Sequence, residues 1–403
     1  MRVMFVHNNM PGQFRHLATA LGQDPNHQVA FVTRRREGQI PGVQKLVYEP
    51  ERVAGEATHH YVRGFENAVL HGQQVVRQCQ ALAQAGYIPD VTVVHPGWGE
   101  GLFLREVFPH TAIVNYCEYY YQAEGGDVGF LSPADLDDLC RLRARNAQLL
   151  LALEACDIGW SPTHWQKSRH PLDLRHKIRV LPDGVDISQC RPDPDVAVQL
   201  PSGRQFRYGD EVITFVARHL EPYRGFHTFM RALPALLAAR PNAHVIIAGA
   251  EVGGYGARPD PGQTWRSMLE AELEFDRSRV HFVGWLEYQA YLSLLQISAV
   301  HVYLTVPFVL SWSFLEAMAC GAVMVASDTP PVREVLSPGD NGFITDFHDP
   351  AKVAADIVSA LIDPRRRAVS AAARRTVVED YNLANCLDAQ VQLLEEAARL
   401  RRR

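Results

Sequence analysis

Lysine is scarce in this chain. Of 40 basic residues only four are lysine (Lys45, Lys167, Lys177 and Lys352), so almost all positive charge sits on guanidinium groups, which bind phosphate bidentately. Acidic residues outnumber basic ones and give a formal net charge of -5; that balance leaves no basic footprint for nucleic acid. Cysteine is sparse and unpatterned, seven residues with no C-x-x-C. This excludes a disulfide framework or a zinc knuckle and fits reduced thiols in a cytoplasmic protein. No run approaches 18 apolar residues, so no segment reads as a membrane span. The first residues also lack the long apolar stretch of a cleavable leader. Peripheral contact with a membrane surface stays open. The loop His7–Phe14 lacks G-x-G-x-x-G, which argues against an NAD or SAM enzyme.

What is present is an ordinary globular composition, 47% hydrophobic and 21% charged over 403 residues, long enough for two domains. Short apolar runs alternate with helical patterns throughout. In the first half, strands are expected at Val3–Val6, Val29–Thr33, Val91–His95, Ala112–Asn115, Ile158–Trp160 and Ile178–Leu181. Helices are expected at Phe14–Leu21, Gly64–Gln84 and Asp135–Ala155. The second half repeats the rhythm, with strands at Val212–Ala217, Ala243–Ala248, Val280–Phe282, Val300–Leu304, Val323–Ala326 and Phe343–Ile344. The polar stretch Asp186–Asp210 reads as the connection. Strand and helix in alternation imply parallel sheets covered on both faces, whose ligands bind beyond the carboxyl ends of the strands. The expected fold class is α/β, with two facing Rossmann-like domains and a cleft between them. The tail Arg401–Arg403 reads as a solvated helix end.

Four constellations follow predicted strands. In Arg218-His219-Leu220-Glu221-Pro222-Tyr223-Arg224-Gly225, two cations flank a loop that opens a helix, a pattern able to grip adjacent phosphates; equally, Arg218 can pair with an acid and Arg224 can face solvent. In Ser311-Trp312-Ser313-Phe314-Leu315-Glu316, backbone amides near Ser311, Trp312 and Ser313 open a helix, and Glu316 can accept from ribose hydroxyls. Ser313 to Glu316 also fits a capping box, with the glutamate merely satisfying the helix end. Gly12 and Gln13 in the first loop can approach a ligand closely or form an ordinary turn. His95, Glu100 and Glu118, with Tyr119–Tyr121, place a histidine, two carboxylates and aromatic rings at strand ends of the first half. Structural hydrogen bonding is the alternative for each.

The run Phe314-Leu315-Glu316-Ala317-Met318-Ala319-Cys320-Gly321-Ala322, with Arg218, Arg224-Gly225 and Leu181-Pro182-Asp183-Gly184-Val185-Asp186, resembles the retaining GT-B glycosyltransferases of family 4, of group 1 type, in a less studied branch. The resemblance implies an acceptor-side domain over residues 1–182, a donor domain over 183–380, and a helix over 381–403 returning to the first domain. It also implies that Arg218 and Arg224 bind a donor diphosphate and Glu316 the ribose. The donor would be a nucleotide sugar, with uridine the first base to consider, and the acceptor a sugar-containing, lipid-linked or small molecule. Transfer would retain the anomeric configuration. Neither a cofactor nor a metal is required, since arginines and helix dipoles can carry the charge, and no H-x-x-x-H occurs. The triplets Asp135-Leu136-Asp137 and Asp193-Pro194-Asp195 read as cap or turn carboxylates.

Two departures bear on activity. Where the family commonly has a first glutamate, eight residues before Glu316, this chain has Phe308. Where many members place a histidine after the strand matching Ile113–Asn115, this chain has Glu118, with His95 on another strand end. Glu118 is therefore the leading candidate for the chemistry, His95 the second. The alternatives are a nucleotide-sugar epimerase or phosphorylase of the same architecture, or a binding protein without turnover.

Overall fold

The computed structural model describes residues 1–256 and 258–401; Arg402 and Arg403 of the basic tail lie outside it. The chain divides into two compact units, Met1–Gly184 with Ala384–Arg403, and Val185–Leu383.

Unit 1 is built on seven strands: β1 (Arg2–Val6), β2 (Gln28–Thr33), β3 (Val43–Val47), β4 (Val91–Val94), β5 (Ala112–Tyr116), β6 (Ile158–Ser161) and β7 (Ile178–Val180). They lie in the order β3-β2-β1-β4-β5-β6-β7, all parallel. Val3 to Val6 of β1 are all 0% exposed, as expected of a strand covered on both faces. One face packs on Phe14, Leu17 and Leu21 and on Leu393, Leu394 and Ala397 of the helix Leu383–Arg401. The other packs on Val75, Cys79 and Leu82 of the helix His60–Gln84. Each fully buried side chain of this kind contributes about 1.5–3 kcal/mol. From β1 the chain winds one way to β2 and β3, then crosses to β4 and winds the other way. The carboxyl ends of β1 and β4 therefore flank a topological switch point, where ligands of such sheets bind.

Unit 2 opens with an antiparallel pair, β8 (Ala197–Gln199) and β9 (Gln205–Arg207). Its parallel sheet comprises β10 (Val212–His219), β11 (His244–Ala250), β12 (Val280–Gly284), β13 (Val300–Tyr303), β14 (Met324–Ser327) and β15 (Phe343–Thr345). The order is β12-β11-β10-β13-β14-β15, so the switch point falls between β10 and β13.

The expected strands are all present, and the structure corrects two expectations and adds an edge strand. The stretch read as a connection folds: Leu200 and Phe206 are buried against Val212 and Ile246, which ties β8 and β9 to the sheet. The helix expected over Asp135–Ala155 is two, Leu136–Arg145 and Ala147–Ala155. The break is at Asn146, whose side-chain amide donates to Tyr121 O (2.7 Å) and accepts from Tyr121 N (3.2 Å). The edge strand β3 is not legible as a strand in the sequence because Gln44-Lys45 breaks its apolar run. Among the described residues no helix is long and apolar enough to cross a membrane.

Candidate functional site

In unit 1, three strand ends deliver a hydrogen-bonded set. His7 follows β1, His95 follows β4 and Glu118 lies two residues beyond β5. Gln13, from the first loop, donates through Nε2 to Glu118 Oε1 (2.5 Å), and His95 Nε2 lies 3.2 Å from Glu118 Oε2. His7 Nε2 is 2.6 Å from Gln13 Oε1. Gly12 takes a positive φ of 53°, and a Cβ there would meet the His7 ring; glycine is the residue that fits. Burial would push the Glu118 carboxyl up, but the hydrogen bonds from His95 and Gln13 outweigh it and hold the pKa below the ordinary glutamate value. The side chain is 29% exposed and borders a pocket of about 60 Å³ lined also by His95, Tyr116, Tyr121, Arg145 and Gln148. An ionised carboxylate beside aromatic and polar walls can accept a proton from a sugar hydroxyl or hold it in place.

Glu100 does not join this set. It is 1% exposed, accepts from the Tyr48 hydroxyl (2.8 Å), and burial pushes its pKa up to about 7.

In unit 2, Arg218 is the penultimate residue of β10 and Arg224 lies in the loop that follows the strand. Arg218 is exposed. Arg224 is the engaged one: its Nη1 donates to Thr305 Oγ1 (3.0 Å) and to Val309 O (3.4 Å), tying the loops after β10 and β13 together across the switch point. Gly225 follows with φ 65°, and a Cβ there would run into Leu304. Glu221 is buried between the arginines and accepts from the Tyr255 backbone N–H; burial pushes its pKa up to about 7.

The helix Trp312–Ala319 is capped by Ser311, not Ser313, so Glu316 falls beyond the capping position and no capping box forms. The Ser311 N–H donates to the Tyr303 hydroxyl (2.9 Å), while Ser313 N makes only a long 3.4 Å bond to Ser311 Oγ. Glu316 instead accepts from the hydroxyls of Tyr288 (2.8 Å) and Tyr291 (2.6 Å). Burial, with the Glu316 charge, pushes both phenols up, so they stay protonated donors. Phe308 is buried against Tyr223 and Tyr255.

Two family models cover most of the sequence: glycosyl transferase family 4 group over residues 25–190 and glycosyl transferases group 1 over residues 202–376. The chain belongs to family 4 of the glycosyltransferases. Within it, the chain is 29% identical over 208 residues to a GDP-mannose-dependent monoacylated alpha-(1-6)-phosphatidylinositol monomannoside mannosyltransferase of Corynebacterium glutamicum, a match covering 49% of this chain and 51% of that one. The chain thus spans about half the length of the curated relatives it matches. Two solved structures share its GT-B fold. Sucrose-phosphate synthase from Thermosynechococcus elongatus has a TM-score of 0.72 at 19% identity, covering 98% of each chain. Anabaena HepE in complex with UDP-glucose has a TM-score of 0.71 at 15% identity, covering 98% of this chain and 100% of that one.

Three residues of these two sites carry no signal of their own in the sequence. His7 stands in the first loop but belongs to no motif. Tyr288 and Tyr291, spaced i, i+3 on the helix Tyr288–Gln296, share one face, and only their far partner Glu316 reveals their use. The Asp triplets are local: Asp135 caps a helix by accepting from Asp138 N (2.8 Å) and Asp193 accepts from Asp195 N (3.0 Å). Among the described residues no group of three or more His, Cys, Asp or Glu side chains could hold a metal ion.

Proposed function

We propose that this chain transfers a sugar from a nucleoside-diphosphate donor to an acceptor hydroxyl, with retained anomeric configuration and without a metal ion. The observation that carries the reading is Glu118: a carboxylate held ionised by two donors, partly exposed, on the wall of a small pocket. In unit 2, Arg218 and Arg224 hold the diphosphate, the helix start at Ser311, Trp312 and Ser313 supports it, and Glu316, oriented by two tyrosines, binds the ribose. In unit 1, Glu118 takes the acceptor's proton while the acceptor oxygen bonds the anomeric carbon. The bond from that carbon to the phosphate oxygen breaks, and the arginines stabilise the departing charge. His95 orients the carboxylate, and Gly12 and Gln13 bring the first loop close to the sugar.

Uridine is the first candidate base; guanosine competes, since the Corynebacterium relative is named for GDP-mannose. The acceptor is a polyol, free, glycosidic or lipid-linked, the last implying peripheral membrane contact. A cytoplasmic setting belongs to the same proposal and rests on the unpatterned cysteines. One observation favours a second reading, nucleotide-sugar binding without turnover: Phe308 stands where the resemblance places an acid.

A panel of labelled sugar nucleotides and polyol acceptors tests both. Wild type should turn over, while Glu118→Gln should lose roughly 10²–10⁴-fold in rate and keep nucleoside-diphosphate affinity by calorimetry. Near wild-type turnover in Glu118→Gln would sink the assignment, and nucleotide binding with no turnover in wild type would select the second reading.

A further inference from the structure

We infer that His7 is a positioning residue: a neutral imidazole that fixes the direction of the hydrogen-bond chain ending on the Glu118 carboxylate. The inference rests on the reading of Glu118 as the group that meets the acceptor.

Two backbone amides decide the polarity of the chain. The Asn9 N–H donates to His7 Nδ1 (2.8 Å). An amide can only donate, so Nδ1 carries the lone pair and the single ring proton sits on Nε2. Nε2–H therefore donates to Gln13 Oε1 (2.6 Å). With its oxygen occupied, the Gln13 carboxamide must turn its NH2 toward Glu118 Oε1. On the far side the Gly97 N–H donates to His95 Nδ1 (3.2 Å), which leaves His95 Nε2–H to donate to Glu118 Oε2. Both carboxylate oxygens thus receive donors whose direction is set by main chain rather than by rotatable hydroxyls. A Gln amide without the His7 proton would be free to turn over and set its oxygen against the carboxylate.

The surroundings keep His7 in that one state. The ring is 1% exposed and packs against Phe14, His95 and Trp98, with centroids 5.6, 4.7 and 5.4 Å away. The titratable groups facing it are His95, from the loop after β4, and Glu118, from the loop after β5. Burial, helped by His95, pushes the His7 pKa down to about 3. Across any working pH it is neutral and carries no proton of its own to the reaction. A mere space-filler would not require the donor and acceptor at opposite ring nitrogens to match both neighbours.

The test is a mutant cycle with two readouts: kcat at saturating donor and acceptor, and the Glu118 carboxyl pKa followed by carbon-13 NMR, its signal identified by its loss in Glu118→Gln. His7→Leu and Gln13→Leu should each raise the Glu118 pKa, because each removes the same donor. Each should also lower kcat by roughly tenfold to a hundredfold, the scale of a misplaced reacting group. The double variant should be no worse than either single one. His7→Gln, whose amide nitrogen can stand where Nε2 stands, should recover much of the loss, and the shorter His7→Asn should not; this pair decides the matter if His7→Leu does not fold. An unchanged Glu118 pKa in His7→Leu, multiplicative losses in the double variant, or equal behaviour of His7→Gln and His7→Asn overturns the inference. If wild type transfers no sugar, the functional reading fails, while the titration still judges His7.

Discussion

Glu100 and Glu118 are the same residue type at comparable strand ends, and their surroundings drive them apart. Glu118 receives two donors, one per oxygen. Glu100 receives the Tyr48 hydroxyl on one oxygen, and its other oxygen, also buried, has no hydrogen-bond partner among the described residues. Sequence spacing selected both, because it locates strand ends; it does not reveal that Tyr48, 52 residues away, closes over one of them. The difference has a pH signature. The folded pKa of Glu100, about 7, lies above the value of about 4.3 in an unfolded chain. The stability its proton supplies is complete below the unfolded value and is lost as pH rises through 7, on the order of 3 kcal/mol in all. Melting temperatures between pH 5 and 8.5 should therefore fall more steeply in wild type than in Glu100→Gln. Glu221, also pushed up to about 7, adds a slope of the same sign to both proteins, so the comparison lies in the difference. Parallel slopes would show that Glu100 titrates normally.

The strands were readable because parallel strands buried on both faces are continuous apolar runs, and β1, β4 and β10 are of that kind. What the pattern hid were elements whose formation depends on distant partners. The pair β8 and β9 has only Ala197, Val198 and Phe206 as apolar residues, and it needs the Leu200–Phe206 anchor on the sheet. The helix break is another case, since Asn146 is a tolerable helical residue on propensity alone. It ends one helix and starts the next because its amide is committed to both main-chain groups of Tyr121. That clamp places Tyr121 and Arg145, whose guanidinium lies 3.9 Å over the Tyr121 ring, on the pocket wall. Asn146→Ala should remove both side-chain hydrogen bonds to the Tyr121 main chain, at a cost of about 1–3 kcal/mol. Amide exchange should quicken at 119–122 and 147–150 while β10 and β11 stay protected. Uniform acceleration, or none, would contradict the local role.

At the scale of the whole molecule, unit 2 is an uninterrupted segment placed within the chain of unit 1. The periodicity of residues 384–401 marks an amphipathic helix but does not say which core it joins; the structure puts Leu393, Leu394 and Ala397 against the unit 1 sheet. Leu394→Ala should cost about 2–5 kcal/mol, read as faster exchange in β1, β4 and β5 with β10 and β11 unchanged; equal acceleration in both sheets would mean that the helix supports more than unit 1. The same connectivity fixes an order of events on the ribosome. Strands β1 to β7 emerge first, but the helix that completes their core follows only after about 200 further residues. At about 5–20 residues per second that is a delay on the order of ten to forty seconds. During it, the later-made unit can finish folding while the earlier-made one still shows part of an apolar sheet face to the chaperones around the nascent chain.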